Sequence, residues 1–274
     1  MKKTAVITGG GGVLCSAFAE QMAKDGYQVA VLDLNPDAAK CTADAICQNG
    51  GVAKAYQANV LDKENLKAVH SAILSDFGRC DVLINGAGGN NPRCTTEHET
   101  FMPGDEVNEE IKTFFNLEQS GFEFVFNLNL MGTLLPTQVF AVDMIEQNKG
   151  CILNVSSMNA FRPLTKIPAY SAAKSAVSNF TQWLAVHFAK QNIRVNAIAP
   201  GFFVTNQNRA LLFNADGTPT PRTGKILNAT PMGRFGEPEE LLGTLRWLTD
   251  EKASGFVTGI VVPVDGGFSA YSGV

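Results

Sequence analysis

The sequence carries no paired cysteine motif. Its six cysteines, at 15, 41, 47, 80, 94 and 151, include no Cys-x-x-Cys, so their spacing spells neither a zinc site nor a disulfide framework, and reduced thiols in a cytoplasm are expected. Histidine is scarce: His70, His98 and His187 are the only three. That is too few for a histidine-rich metal centre, and no metal is expected. No lysine or arginine block stands out and the net charge is −4, which argues against the basic footprint of a nucleic-acid binder. No apolar run approaches the ~20 residues that span a bilayer, so no membrane partner is expected. The start, Met1-Lys2-Lys3, meets only a short apolar stretch at 4–8 before glycine; it reads as a first strand rather than a leader. Repeats, low-complexity tracts and linkers are missing too, so a single domain over 1–274 is expected.

What is there is alternation. Short apolar runs at 4–8, 28–34, 53–60, 80–88, 151–157, 193–201 and 259–267 alternate with helical patterns at 15–26, 37–50, 63–78, 130–148, 170–190 and 237–250. Unbroken apolar strands with intervening helices predict an α/β fold. The form expected is a Rossmann-type, doubly wound parallel sheet of about seven strands with helices on both faces. One segment breaks the rhythm. Residues 89–120 are polar and acidic with two prolines, and so long a connection is expected to be a binding loop or lid.

The stretch "TGGGGVLCSA" at 8–17 follows the first strand and opens a helix. Amides at a helix N-terminus attract phosphate, although a glycine cluster alone fits a plain turn equally well. The second apolar strand tips the balance. It carries Asp33, 25 residues after Thr8, where a carboxylate can bond both ribose hydroxyls of an adenosine and repel a 2′-phosphate. That favours NAD(H) over NADP(H).

Tyr170 and Lys174 lie four apart in "YSAAK" and share one helix face. A phenol with a free pKa near ~10 is a poor proton carrier at neutral pH; a neighbouring ammonium is expected to lower it and make the pair a general acid/base. Thirteen residues upstream, Ser157 closes an apolar strand, at the edge where open α/β sheets bind ligands. Asn129 lies on the helical stretch before that strand.

With those residues in place, the chain resembles the short-chain dehydrogenase/reductase family. The matching pieces are "TGGGGVLCSA", "INGAG" at 84–88, "NLMG" at 129–132, "NVSS" at 154–157, "YSAAK" at 170–174, "RVNAIAPGFFVT" at 194–205 and "VDGG" at 264–267. The resemblance implies that Tyr170 exchanges a proton with the substrate oxygen and that Ser157 polarises that oxygen. It implies that Lys174 lowers the tyrosine pKa and holds the nicotinamide ribose, and that Asn129 anchors a relay water. It also implies that Thr8, Gly9, Gly11, Gly12, Val13 and Leu14 line the pyrophosphate, with Asp33, Leu34, Asn59 and Val60 around the adenosine. Asn85, Gly86, Ala87 and Gly88 would border the cofactor, and Pro200, Gly201, Phe203 and Thr205 would flank the nicotinamide. A homo-oligomer, dimer or tetramer, is implied as well. Three departures stand out: Val13 and Cys15 occupy the second and third glycine positions of the family's loop, Asn59 replaces a common aspartate, and 89–120 is long.

Candidate substrate contacts are Asn90, Asn91 and Arg93, then Asn159, Arg162 and Lys166, then Asn206, Gln207, Asn208 and Arg209. Amides suit several hydroxyls and arginine suits a carboxylate, so a small-molecule sugar acid is expected. "SSMNAFRPLTKIPAYSAAK" and "APGFFVTNQNRALL" are similar to a branch of the family that interconverts D-fructuronate and D-mannonate with NAD(H). A 5-ketogluconate, polyol or other keto-acid substrate is the alternative within the family. A non-catalytic NAD(H)-binding sensor or scaffold is the alternative outside it, and the intact Asn129, Ser157, Tyr170 and Lys174 set argues against that.

Overall fold

The computed structural model of the protein describes residues 2–205 and 209–273. Among these, seven strands form one sheet: β1 (Thr4–Thr8), β2 (Gln28–Asp33), β3 (Val52–Gln57), β4 (Cys80–Asn85), β5 (Gly150–Val155), β6 (Ile193–Pro200) and β7 (Val261–Val264). Their order is β3-β2-β1-β4-β5-β6-β7, and every pairing is parallel. Parallel pairing forces each connection to cross a face of the sheet. Helices α1 (Val13–Lys24), α2 (Pro36–Gln48), α3 (Lys63–Phe77), α4 (Gln119–Phe126), α5 (Gly132–Gln147) and α6 (Pro168–Phe188) make the long crossings. Shorter helices follow: α7 (Arg209–Leu212), α8 (Pro221–Ala229), α9 (Leu242–Thr249) and α10 (Glu251–Ser254).

Covering both faces explains why the central strands are largely apolar, whereas the edge strand β3, with Lys54 and Gln57, leaves most of its residues unburied. All of β1 and β6 is buried, and successive residues feed opposite cores. Ala5 and Ile7 pack with Phe18 and Met22 of α1, while Val6 packs on the other side with Leu66 of α3 and Phe140 of α5. The helix boundaries follow local chemistry. Asn35 and Asp62 cap α2 and α3 by accepting from backbone amides, each helped by an acidic first turn. Asn148 and Asn192 adopt φ of 50° and 55° where helical segments end, the left-handed stop that asparagine tolerates.

The sequence winds outward from β1 to β3, then restarts at β4 on the other side of β1. A crevice therefore opens at the carboxyl ends of β1 and β4, where such folds bind ligands. Thr8 pairs with Leu32 on one side and Asn85 on the other, so the ends of β1, β2 and β4 are level.

Two elements differ from the sequence expectation. The helix expected at 130–148 begins at Gln119 as α4 and reaches α5 through a π-helical turn, Asn127–Met131. This 29-residue run is apolar and long enough by composition to cross a membrane, yet here it packs on the sheet as a core helix. Residues 89–120 form a folded excursion with three 3-10 turns, at Pro92–Cys94, Asp105–Val107 and Phe114–Asn116. Its ties to the rest of the fold include the Thr96 amide on the Lys166 carbonyl (2.9 Å) and an ion pair between Glu99 and Lys225 of α8 (2.8 Å). Inside it the buried Asp105 carboxylate accepts from the Met102 amide and pairs with His98.

Candidate active site

The site is built on the ends of β1, β4, β5 and β6. At β1, each glycine of the opening loop has its own reason. Gly9 needs its φ of +65°, a conformation that disfavours side chains. Gly10 and Gly11 have ordinary backbone but no room, because an added Cβ would lie 2.6 Å from Val31 Cγ1 and 2.5 Å from Ala38 Cβ respectively. The loop is thus drawn against β2 and α2, and the glycines serve close approach more than free turning. The Asp33 carboxylate locks it there: Oδ2 accepts from the Gly11 amide at 3.0 Å and Oδ1 from Asn35 at 2.9 Å. Gly12 then starts α1 in extended conformation and supplies no side-chain cap.

Val13 is half-buried in the first turn of α1 and needs no glycine. Cys15 is fully buried, and its Sγ lies 2.1 Å from where a Cβ on Gly86 would stand. The thiol thus fills the space that Gly86 leaves, and burial pushes its pKa up to about 12. Cys15 is a packing residue, not a nucleophile.

At β4, Thr8 Oγ1 accepts from the Gly86 and Ala87 amides at 3.1 and 3.3 Å. Asn85 is equally internal: its Nδ2 donates to Thr137 and to Asn154, whose own Nδ2 donates to Thr181. These side chains brace the site from below, because all are buried and, Thr8 apart, linked to one another through the Asn85 and Asn154 amide nitrogens, while Asn85 Oδ1 has no partner among the described residues. Gly88 lies closer to the chemistry, since a Cβ there would be 2.7 Å from Asn129 Oδ1 and 3.1 Å from Lys174 Nζ.

Asn129 sits in the π-helical turn, completely buried. Its Nδ2 donates to the Gly89 carbonyl at 2.8 Å and the Val125 carbonyl at 2.7 Å, and its Oδ1 accepts from the Gly89 amide at 3.3 Å. Thr133 donates to the Asn129 carbonyl at 2.9 Å. Asn129 therefore fixes the loop after β4 against the helix. The Thr133–Thr137–Asn85 chain behind it was missed by sequence reasoning; threonines four apart on one helix face were the available signal.

Ser157 follows β5 and caps the turn Met158–Ala160, accepting from the Asn159 amide at 3.2 Å. Because that amide occupies an acceptor site on Oγ, the hydroxyl hydrogen is directed elsewhere. Tyr170 and Lys174 lie one turn apart on α6, and Lys174 Nζ stands 5.6 Å from the centre of the phenol ring. Nζ donates to the Val155 carbonyl at 2.8 Å, and burial lowers the lysine pKa to about 8.

The expected pKa of Tyr170 is not what the site produces. Tyr170 is part-exposed as a residue, but its hydroxyl end is desolvated, and that pushes the phenol up to about 12 against the opposing pull of the Ser157 hydroxyl. Desolvation penalises the phenolate, and the ammonium beside the ring does not reverse it.

The other candidates take these places. Leu34 points outward, 65% exposed. Asn59 turns its side chain to the Leu61 amide, and Val60 is buried against Gly132. Phe203 is buried beside Gly236, whereas Pro200, Gly201 and Thr205 do follow one another off the end of β6. Of the substrate candidates, Asn90 bonds Thr95, Asn91 caps the turn at Arg93, and Arg93 also reaches Asn91. Asn159 is buried with its Oδ1 unpartnered. Arg162 donates through Nε to the Ser269 carbonyl, and Arg209 stacks on Phe213. Asn206, Gln207 and Asn208 lie outside the described residues. Among the described residues no cluster of His, Cys, Asp or Glu could hold a metal ion.

Comparison with known proteins agrees with this arrangement. A family model described as short chain dehydrogenase matches residues 3–214. A Haemophilus influenzae protein named as an uncharacterized oxidoreductase is 62% identical, covering 99% of this chain and 95% of its own. A Bacillus subtilis protein, uncharacterized oxidoreductase UxuB, is 53% identical over 99% of this chain and 96% of its own. A crystal structure from Haemophilus influenza, described as a candidate D-mannonate oxidoreductase with bound NAD, superposes with a TM-score of 0.95 at 62% identity, covering 99% of this chain and 96% of that one. The chain belongs to the short-chain dehydrogenase/reductase family of oxidoreductases.

Proposed function

We propose that this chain interconverts a ketone and a secondary alcohol on a sugar acid with NAD(H), and that the pair is D-fructuronate and D-mannonate. The observation that carries the reading is the convergence of Ser157, Tyr170 and Lys174 at the end of β5, with Asn129 and Lys174 both against Gly88.

A dinucleotide fits the crevice. Gly9, Gly10 and Gly11 hold the backbone where side chains cannot stand, and Gly88 keeps a path open beside Lys174. The first-turn amides of α1, including those of Val13 and Leu14, would face the pyrophosphate. The Asp33 carboxylate would meet the adenosine ribose, Gly86 to Gly88 would border the cofactor, and Pro200, Gly201 and Thr205 would stand by its nicotinamide end. Bound there, NAD(H) supplies the hydride. The chain supplies the proton and the alignment. Tyr170, held protonated by a pKa of about 12, donates to the substrate oxygen during reduction. Ser157 donates its hydroxyl hydrogen to the same oxygen. Lys174 keeps its charge at neutral pH and would hold the ribose from its anchor on Val155.

The sugar-acid assignment draws on the polar loops around this edge and on the similarity to the structure described as a D-mannonate oxidoreductase with bound NAD. The six free cysteines support a cytoplasmic setting. Exposed Trp183 and Val186 on α6, with Phe124, Val142 and Ile145 on α4 and α5, support a homo-oligomer. The test is turnover of D-fructuronate, 5-ketogluconate and uncharged ketoses with NADH and NADPH. Tyr170→Phe should lower kcat by roughly 10²- to 10⁴-fold while NADH still binds. Equal kcat/KM with and without the carboxylate would remove the sugar acid, and NADH binding with no turnover of any ketone would restore a non-catalytic role.

A further inference from the structure

The segment after β7 crosses the site edge of the sheet. Asp265 folds it back, with Oδ1 accepting from the Gly267 amide at 3.0 Å and Oδ2 from the Ser269 amide at 2.8 Å. Gly266 and Gly267 make the bend at φ of +63° and +88°. Two contacts then carry it sideways. The Phe268 ring packs edge-on against Phe202, with centroids 5.3 Å apart, and Phe202 lies in the loop leaving β6. Arg162 Nε donates to the Ser269 carbonyl at 2.8 Å, and Arg162 is tied through its own amide to Met158, next to Ser157, at 3.1 Å. Because β5, β6 and β7 are neighbours in that order, a segment that starts at β7, packs on the loop after β6 and is held by a side chain of the loop after β5 runs along the carboxyl edge toward β5. Ser157 stands in the loop after β5.

We propose that residues 268–271 form one wall of the substrate pocket, latched across it by Arg162, and that this wall limits the size of the group attached to the reacting carbon. The inference rests on the hydride-transfer reading above. It makes Arg162 a positioning residue that acts through the tail and not a ligand for the substrate carboxylate. It also selects for compact polyhydroxy acids, because the Phe268 ring and the Ser269 backbone close the side on which a bulky substituent would extend.

The test uses the full chain and compares wild type with Arg162→Ala and Phe268→Ala. Wild type is first profiled on compact and bulky ketones; failure to reduce any of them overturns the hydride-transfer reading, and the latch is then judged by exchange alone. Hydrogen exchange at the amides of 268–271 needs no turnover and should accelerate in Arg162→Ala by roughly fivefold or more, as expected for one lost hydrogen bond. With a substrate in hand, both variants should raise KM for the compact keto acid by a similar factor. They should also shift the ranking toward bulky ketones, with the Kd for NADH within roughly twofold. Unchanged exchange in Arg162→Ala overturns the latch. An unchanged substrate ranking in both variants, or an equal loss on every substrate together with NADH binding, overturns the wall.

Discussion

The contact between Cys15 and Gly86 gives a sharp test of how α1 is seated on the loop after β4. Gly86 has ordinary backbone, so alanine there meets no conformational penalty. Its Cβ, however, would stand 2.1 Å from Cys15 Sγ and 2.9 Å from the Thr8 carbonyl. Both neighbours are buried and cannot swing away, so α1 or the loop after β4 must move. Overpacking of this kind costs about 1–3 kcal/mol, and the movement would disturb the Gly86 and Ala87 amides that Thr8 holds. Gly86→Ala should lower stability by about 2 kcal/mol in urea unfolding and weaken NADH binding measured by fluorescence titration. Cys15→Ala alone removes one sulfur and should cost about 1 kcal/mol. Combined, the two should rescue each other in part. With the sulfur gone the next Cys15 atom is Cβ at 3.6 Å, an ordinary contact, while the 2.9 Å approach to Thr8 remains. The cycle should therefore show a favourable coupling of about 1 kcal/mol. A double mutant whose loss equals the sum of the single losses within about 0.3–0.5 kcal/mol would refute the packing account.

Two further outcomes are expected. Asp33→Ala should weaken NADH, because the carboxylate holds the Gly11 amide, and, on the proposed ribose contact, should narrow the preference for NADH over NADPH; an unchanged ratio of the two kcat/KM values would rule out Asp33 as the ribose ligand. In the reductive direction kcat/KM should be level below pH 8 and fall as pH rises through about 8, since the lowered pKa of Lys174 means its charge is present below that value and lost above it. Tyr170, at about 12, stays protonated over the same range. Lys174→Arg should abolish the falling limb, and a limb that stays in place in that variant would assign it to another group.

Periodicity, which is local, made the sheet, its approximate strand positions and the crossovers legible in the sequence. The pairing of Tyr170 with Lys174 was legible for the same reason, because four residues on a helix are one turn. The carboxylate at Asp33 followed from its place at a strand end. Other properties depend on partners far along the chain. Thr8 and Asn85 look like cofactor ligands in sequence, yet Thr8 is spent on amides 78 and 79 residues away and Asn85 on side chains 52 and 69 away. Arg162 looks like a carboxylate ligand, and its Nε is committed to Ser269, 107 residues on. The pKa of Tyr170 belongs to this second group, for desolvation is set by everything packed around the hydroxyl. So does the role of the glycines in "TGGGGVLCSA". Their number suggested freedom to turn, but Gly10 and Gly11 are required by Val31 and Ala38, and Cys15 is matched by the absence of a side chain at Gly86. Sequence determined which groups are present and how neighbours repeat; tertiary structure decided which of those groups were still available to a ligand once the interior had taken its own hydrogen bonds and space.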